Sequence, residues 1–265
     1  MEKIIHQTVL PRTRQSISND LYQLGIRKGM TVLVHSSLSS IGWVNGGAVA
    51  VIQALQDVIT EKGTIVMPSQ STDLSDPSEW LYPPVPKEWW SEIRETMPAY
   101  DPHMTPTRGM GNIVEVFRTS PDVLRSGHPA YSFVAWGKDK VELTESHFID
   151  FGLGEQSPLA RLYQAEAFVL MIGVGYDSNT SFHLAEYRRK NPTFTKKGAP
   201  ISINGEKVWK EYDEIDFNEE CFEGIGKDFE KEHAILKGKI GSAESRLFTL
   251  KQAVDFAERW LNGNR

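Results

Sequence analysis

Apolar positions along this chain fall into two rhythms, and their succession predicts a β-α-β frame. Thr31 to His35 (TVLVH) is a β-branched, apolar run with the character of a buried strand. After the turn-rich SSLSSIGWVNGG, residues Ala48, Val51, Ile52, Leu55, Val58 and Ile59 repeat at helical spacing. Gly63 stops that helix, and TIVMP (Thr64 to Pro68) starts a second strand. Ahead of this unit, Ser18 to Leu24 predicts a short helix ended by Gly25. Further on, helices are predicted near Asn112 to Arg118, Pro158 to Gln164 and Thr180 to Arg188, with strands at Ser132 to Trp136 and Phe168 to Ile172. Ile201 to Ile203 and Glu206 to Trp209, joined by Asn204-Gly205, carry a type I′ hairpin signal. Two amphipathic helices, near Phe217 to Ala234 and Leu250 to Leu261, close the chain.

One stretch breaks the rhythm. Seven of the fourteen prolines lie between Pro77 and Pro106, interleaved with Trp80, Trp89 and Trp90, which forbids a regular element through most of it. A short helix around Glu88 to Glu95 still fits. This Pro/Trp-rich loop, at about residues 72–107, reads either as a binding loop or lid, or as an insertion packed on the core by its tryptophans. No repeat, low-complexity linker or composition break divides the rest, so one α/β domain spanning residues 1–265 is expected. With 40% hydrophobic and 24% charged residues the chain has an ordinary soluble composition. No apolar window approaches the length of a membrane span, and the N-terminus lacks the pattern of a secretory signal. A net charge of −6 argues against nucleic acid as a partner. The lone cysteine, Cys221, can form neither an internal disulfide nor a cysteine-rich zinc site, and a reducing cytoplasm is the expected location.

Four segments carry candidate chemistry. His35-Ser36-Ser37-Leu38-Ser39-Ser40-Ile41-Gly42, followed by Asn45-Gly46-Gly47, joins a strand, a turn of small residues and a helix start. Converging N–H groups and hydroxyls there suit an anion, although neither a Walker A loop nor G-x-G-x-x-G is present, and a plain capping turn explains the pattern equally well. Thr105-Pro106-Thr107-Arg108-Gly109-Met110-Gly111 also leads into a helix. In the third segment, Asp177 to Tyr187, His183 and Glu186 stand three residues apart and so share a helix face. A carboxylate so placed fixes an imidazole's tautomer and stabilises its protonated form. A surface His–Glu pair is the bland alternative. No histidine has metal-ligand spacing, so no metal is expected. Finally, residues 206 to 232 hold eleven Asp or Glu against four Lys, either a solvated face or a wall that gathers a cationic ligand.

Taken together these pieces resemble the aminoglycoside 3-N-acetyltransferase family, closest to its Bacillus-type members. The matching segments are HSSLSSIGWVNGG, TPTRGMG, RSGHPAYSFVAWG, GEQSPLARLY, LMIGVGYDSNTSFHLAEY, KVWKEYDEIDF and KGKIGSAESRLF, which follow the family's order over nearly the whole chain. The resemblance implies the antibiotic acetyltransferase fold, a central mixed β-sheet flanked by helices, distinct from the common acetyl-CoA-dependent transferase superfamily. It implies acetyl-CoA as cosubstrate, held by His35, Ser36, Ser37, Leu38 and Ser39 and by Thr107 and Met110. It implies a cationic amine acceptor, the 3-amino group of a 2-deoxystreptamine aminoglycoside, deprotonated by His183 with Glu186 as the acid of the same motif. A second carboxylate from beyond the hairpin is implied to orient the histidine; Asp213, Glu214 and Asp216 compete, with Asp216 favoured. Asp177 and Asp213 are expected on the acceptor side. A homodimer is admitted without being required. Another amine acceptor, a serine hydrolase using Ser36, Ser37 or Ser181, and a non-catalytic binder of cations stay open as alternatives.

Overall fold

The computed structural model describes residues 2–263. Nine strands occur in them: β1 (Thr31–Ser36), β2 (Thr64–Pro68), β3 (Leu124–Arg125), β4 (Phe133–Gly137), β5 (Phe168–Ile172), β6 (Phe194–Ile203), β7 (Glu206–Ile215), β8 (Leu236–Ile240) and β9 (Ala243–Thr249). Seven form one sheet in the order β3-β4-β2-β1-β5-β9-β8, and β6 and β7 form a separate ribbon. β1 pairs in parallel with β2 on one side and β5 on the other, whereas β4 and β9 run antiparallel to the strands they join. The sheet is therefore mixed, as the resemblance implied.

β1 sits at the centre because it is apolar on both faces. Val32 and Val34 enter one core and Leu33 the other. Ile65 and Met67 against Val66 on β2, and Leu170 and Ile172 against Val169 and Met171 on β5, repeat that division. Helices Arg14–Leu24, Gly47–Ile59 and Gly111–Arg118 close the first core. Helices Pro158–Gln164, Phe182–Tyr187, Phe222–Glu232 and Leu250–Leu261 close the second. With β2 and β5 on opposite sides of β1, a crevice opens beyond the carboxyl ends of β1 and β5, the usual ligand position in such a sheet. Gly173, just after β5, has φ +65°, and a Cβ there would lie 2.3 Å from the Ser40 Cβ, so only glycine lets the end of β5 approach the short helix after β1 so closely.

Three expectations need correction. The segment 236–249, expected without strands, forms β8 and β9; β8 is mostly exposed at the sheet edge and lacks an apolar rhythm. The helix expected from Phe217 begins at Phe222, after an extended stretch and a 3₁₀ turn, Glu219–Cys221. The hairpin has the predicted Asn204-Gly205 turn, both residues at positive φ, but its arms are ten residues each.

The Pro/Trp-rich stretch contains a helix, Trp90–Thr96, close to the expected one. Tryptophans do not anchor it: Trp89 is 56% exposed and Trp80 and Trp90 only half-buried. Polar contacts do. The half-buried Arg125 guanidinium donates to Ser69 O (2.6 Å), Ser71 Oγ (2.7 Å) and Thr105 O. Tyr100 donates its hydroxyl to Ser126 O (2.8 Å) and its N–H to Pro200 O (3.0 Å), tying the stretch to sheet and ribbon.

Candidate active site

A cleft of about 560 Å³ occupies the crevice, within the range of small-molecule sites. Its walls come from the end of β1 and the turn after it (Val34 to Ser39), from Pro68 and Gln70, from Gly109 to Asn112, and from Val174, Asp177, Ser178, Thr180, His183 and Glu219. His35, Ser36, Ser37, Leu38, Ser39, Met110, Asp177 and His183 thus meet in one place although the sequence scatters them.

On the β1 side the turn is built from hydroxyls. Ser37 Oγ lies 3.1 Å from Ser39 Oγ and accepts from Ser40 Oγ (2.9 Å), which also reaches Gly173 O (3.1 Å). Gly109 and Gly111, at φ +73° and +83°, swing the second loop beside it; a Cβ on Gly111 would stand 3.9 Å from Ser36 O. Asn45-Gly46-Gly47 contributes nothing to these walls, because the short helix Leu38–Ile41 carries the chain away before the longer helix starts. Thr107 is also absent from the lining. It spends both its N–H (3.0 Å) and its hydroxyl (2.8 Å) on Glu115, whose carboxyl is held down to about 2, chiefly by the Arg118 hydrogen bond.

Opposite, His183 is buried on the helix Phe182–Tyr187, flanked edge-on by Phe217 and Phe222 at 4.6 and 5.0 Å. The helix starts on an Asx turn in which Asn179 Oδ1 accepts from the Ser181 N–H (3.3 Å) and also from Ser181 Oγ (2.8 Å). One turn of this helix places Glu186 Oε2 2.7 Å from His183 Nδ1. Glu186 is fully buried and with its other oxygen takes the Asn218 N–H (2.7 Å). That bond fixes the extended segment before the 3₁₀ turn, and the turn brings Glu219 Oε1 to 3.3 Å from His183 Nε2. Burial alone pulls the imidazole down; the hydrogen bonds and charges of Glu186 and Glu219 outweigh it, so His183 titrates above the ordinary 6.5. Glu219 is correspondingly held below the usual carboxylate value by the same bond.

Asp216 does not hold His183. It is exposed, and the contacts formed at this residue are through its backbone, to Thr193 and Arg189. Asp213 pairs with Lys196 (2.6 Å) on the outer ribbon and does not line the cleft. Glu214 is fully buried among Tyr187 Oη, Gly152 N (3.0 Å) and Ile215 N (2.9 Å). The carboxylate from beyond the hairpin is Glu219. The sequence offered it only as one of eleven acids in a stretch expected to be helical. Of those eleven, Glu219 alone lines the cleft. Others serve ion pairs, as Glu230 does with Lys237 (2.5 Å) and Arg246 (2.7 Å). Among the described residues no group of three or more His, Cys, Asp or Glu could hold a metal, and no helix is long and apolar enough to cross a membrane.

The family model described as aminoglycoside 3-N-acetyltransferase matches residues 33–262. The chain is 62% identical to the SPbeta prophage-derived aminoglycoside N(3')-acetyltransferase-like protein YokD of Bacillus subtilis, over 100% of this chain and 97% of that one. The crystal structure of YokD matches with a TM-score of 0.99, covering 100% of this chain and 98% of the other. A structure described as AAC-IIIb binary with CoASH matches at 32% identity and a TM-score of 0.86, covering 96% and 97%. Another, AAC-VIa bound to sisomicin, matches at 28% identity and 0.87, covering 97% and 99%. With a matched model over most of its length and a glycine- and hydroxyl-lined cleft facing a carboxylate-clasped histidine, the chain belongs to the aminoglycoside 3-N-acetyltransferase family and is an acyltransferase of that type.

Proposed function

We propose that this chain transfers the acetyl group of acetyl-CoA to an amine of a cationic aminosugar, the 3-amino group of a 2-deoxystreptamine aminoglycoside, with His183 as general base. The observation that carries this reading is the buried His183, held between Glu186 and Glu219 on one wall of the cleft. The hydroxyl turn Ser37–Ser39 and the left-handed glycines at 109 and 111 form the opposite wall and suit the donor's polar groups. Two relatives described with CoASH and with sisomicin support both substrates by likeness.

Glu186 keeps a proton on Nδ1, so that Nε2 is the atom that exchanges. Glu219, 64% exposed, is free to turn from Nε2 toward the ammonium group of an arriving acceptor, and Asp177 adds a second acid to the same cleft. Once the acceptor has given its ammonium proton to solvent, its nitrogen pair attacks the thioester carbon while Nε2 takes one of the two protons still on that nitrogen. The C–S bond then breaks and that proton passes to the departing sulfur. No covalent acyl-enzyme is needed. Ser181 is fully buried and bonded to Asn179, and both ring nitrogens of His183 face carboxylates rather than a serine, which disfavours a hydrolase. The lone, half-buried Cys221 has its thiol pushed up by burial, which disfavours it as nucleophile and suits a reducing cytoplasm.

The test is release of free thiol from acetyl-CoA against a panel of amines. Release that requires an aminoglycoside is expected. Release without an amine would make the protein a hydrolase, and no release with any amine would refute the transferase reading.

A further inference from the structure

β1 ends in two residues whose side chains each carry an unpaired buried polar atom. His35 is 7% exposed, and neither its Nε2 nor the Ser36 Oγ forms a hydrogen bond with any described residue. Leaving a polar group in that state is unfavourable. Such a cost at the wall of a ligand cleft points to a partner that arrives with the ligand. His35 follows Leu33 by two positions and pairs with Met171, so it shares the sheet face of the second core with the helix that carries His183. In sequence it directly precedes the hydroxyl turn; in space it lies along the same cleft as the base. A thioester held at the turn and attacked by an amine next to His183 has its carbonyl between the two, beside His35.

We infer that His35 is a second catalytic histidine, which donates a hydrogen bond to the oxygen of the acyl thioester carbonyl as that oxygen gains negative charge. The inference rests on the acetyl-transfer reading above. The amine nitrogen forms the new C–N bond, and the carbonyl π pair moves onto oxygen, where the imidazole N–H meets it. When the C–S bond breaks, the pair returns and sulfur takes the proton that His183 had accepted. His35 itself gains and loses none. Its environment suits that part: burial, and then the charge of the neighbouring His183, pull it down to about 3. It therefore stays neutral while its neighbour cycles, and a neutral imidazole can polarise a carbonyl without competing for the base's proton.

The test uses acetyl-CoA isotope-labelled at the acetyl carbonyl, bound to the whole protein without acceptor, with infrared spectroscopy reading the carbonyl stretch. In the wild type the band should fall below its frequency in water. In His35→Phe and His35→Leu, two apolar variants that guard against one failing to fold, it should return toward the frequency of an unbonded thioester. His35→Gln, which keeps an N–H near the Nε2 position, should retain much of the shift. Turnover should drop about 10²–10³-fold in the apolar variants, the loss typical of one oxyanion donor, while the acidic limb of the pH profile stays in place. An unchanged band in variants that still bind the donor would overturn the assignment. A wild type that shifts the band but acetylates no aminoglycoside would uphold His35 and refute the acceptor reading. Failure to bind acetyl-CoA at all would remove both.

Discussion

His183 was legible because both partners of the motif sit on one helix turn, where spacing alone puts an imidazole and a carboxylate together. Glu219 was not, because an irregular segment delivers it, and nothing in a run of eleven acids marks the one that turns inward. The two carboxylates have separable consequences. His183→Ala should cost about 10²–10⁴-fold in turnover, with CoA affinity by calorimetry little changed, since the residue serves the acceptor. On the proposed mechanism His183 must be deprotonated to act, so kcat/KM should fall as pH drops through a value above 6.5, the direction in which Glu186 and Glu219 move His183. Glu219→Gln removes one of the groups that raise it, and the acidic limb should slide to lower pH. A limb at the same pH in both proteins would mean that Glu219 does not touch the base in solution.

At the scale of elements, periodicity located the strands that are buried on both faces and the helices that cover them, because those must be apolar at fixed spacing. It missed the two-residue β3 and the β8–β9 hairpin, whose outer strand β8 is mostly exposed, and it extended a helix backwards through residues 217–221. For the Pro/Trp-rich stretch it left a binding loop and a tryptophan-packed insertion equally open, and neither reading found the half-buried arginine on the two-residue strand β3 that ties the stretch down. Arg125 satisfies the Ser69 and Thr105 carbonyls and the buried Ser71 hydroxyl, and partial burial has already drawn its guanidinium pKa down. Arg125→Met keeps the volume and removes every donor. It should destabilise the protein by about 2–3 kcal/mol and speed proteolysis within residues 72–104 more than elsewhere. Uniform cleavage kinetics in wild type and variant would show that the stretch is held by something else.

For the whole molecule, the net charge of −6 is less telling than where ionisable groups are hidden. Much of the acidic segment is tied up in ion pairs on ribbon and helix, so the field inside the cleft comes from Asp177 and Glu219. Histidines matter more for stability. His128 is wholly buried, with Nδ1 accepting from the N–H groups of Ala130 and Tyr131 (3.1 and 3.0 Å) and Nε2 donating to Ile149 O (3.0 Å). His147 stands 4.9 Å away, ring to ring, and is engaged by Ser126 Oγ (2.9 Å) and Gly152 O (2.6 Å). The two N–H groups on its Nδ1 leave His128 no room for a second proton, and burial disfavours one on His147. Burial pulls His128 to about 4 and His147 well below 6.5, and it pulls His35 to about 3. For a histidine whose folded value is depressed, the unfolded chain binds the proton first, so the stability it lends is whole above about 6.5 and drains as pH falls toward the folded value. His183 has the opposite sign: its contribution is complete below 6.5 and is lost only as pH rises through its raised value, so it cannot compensate on the acid side. Each histidine locked neutral costs about 1.4 kcal/mol per pH unit below 6.5, before the carboxylates begin to protonate. The urea midpoint should therefore drop steeply between pH 7 and pH 5 with little change in the denaturant slope, and unfolding at pH 5 should take up protons measurable in a weakly buffered solution. A midpoint that stays level over that interval would mean that these three imidazoles are not held neutral by the fold.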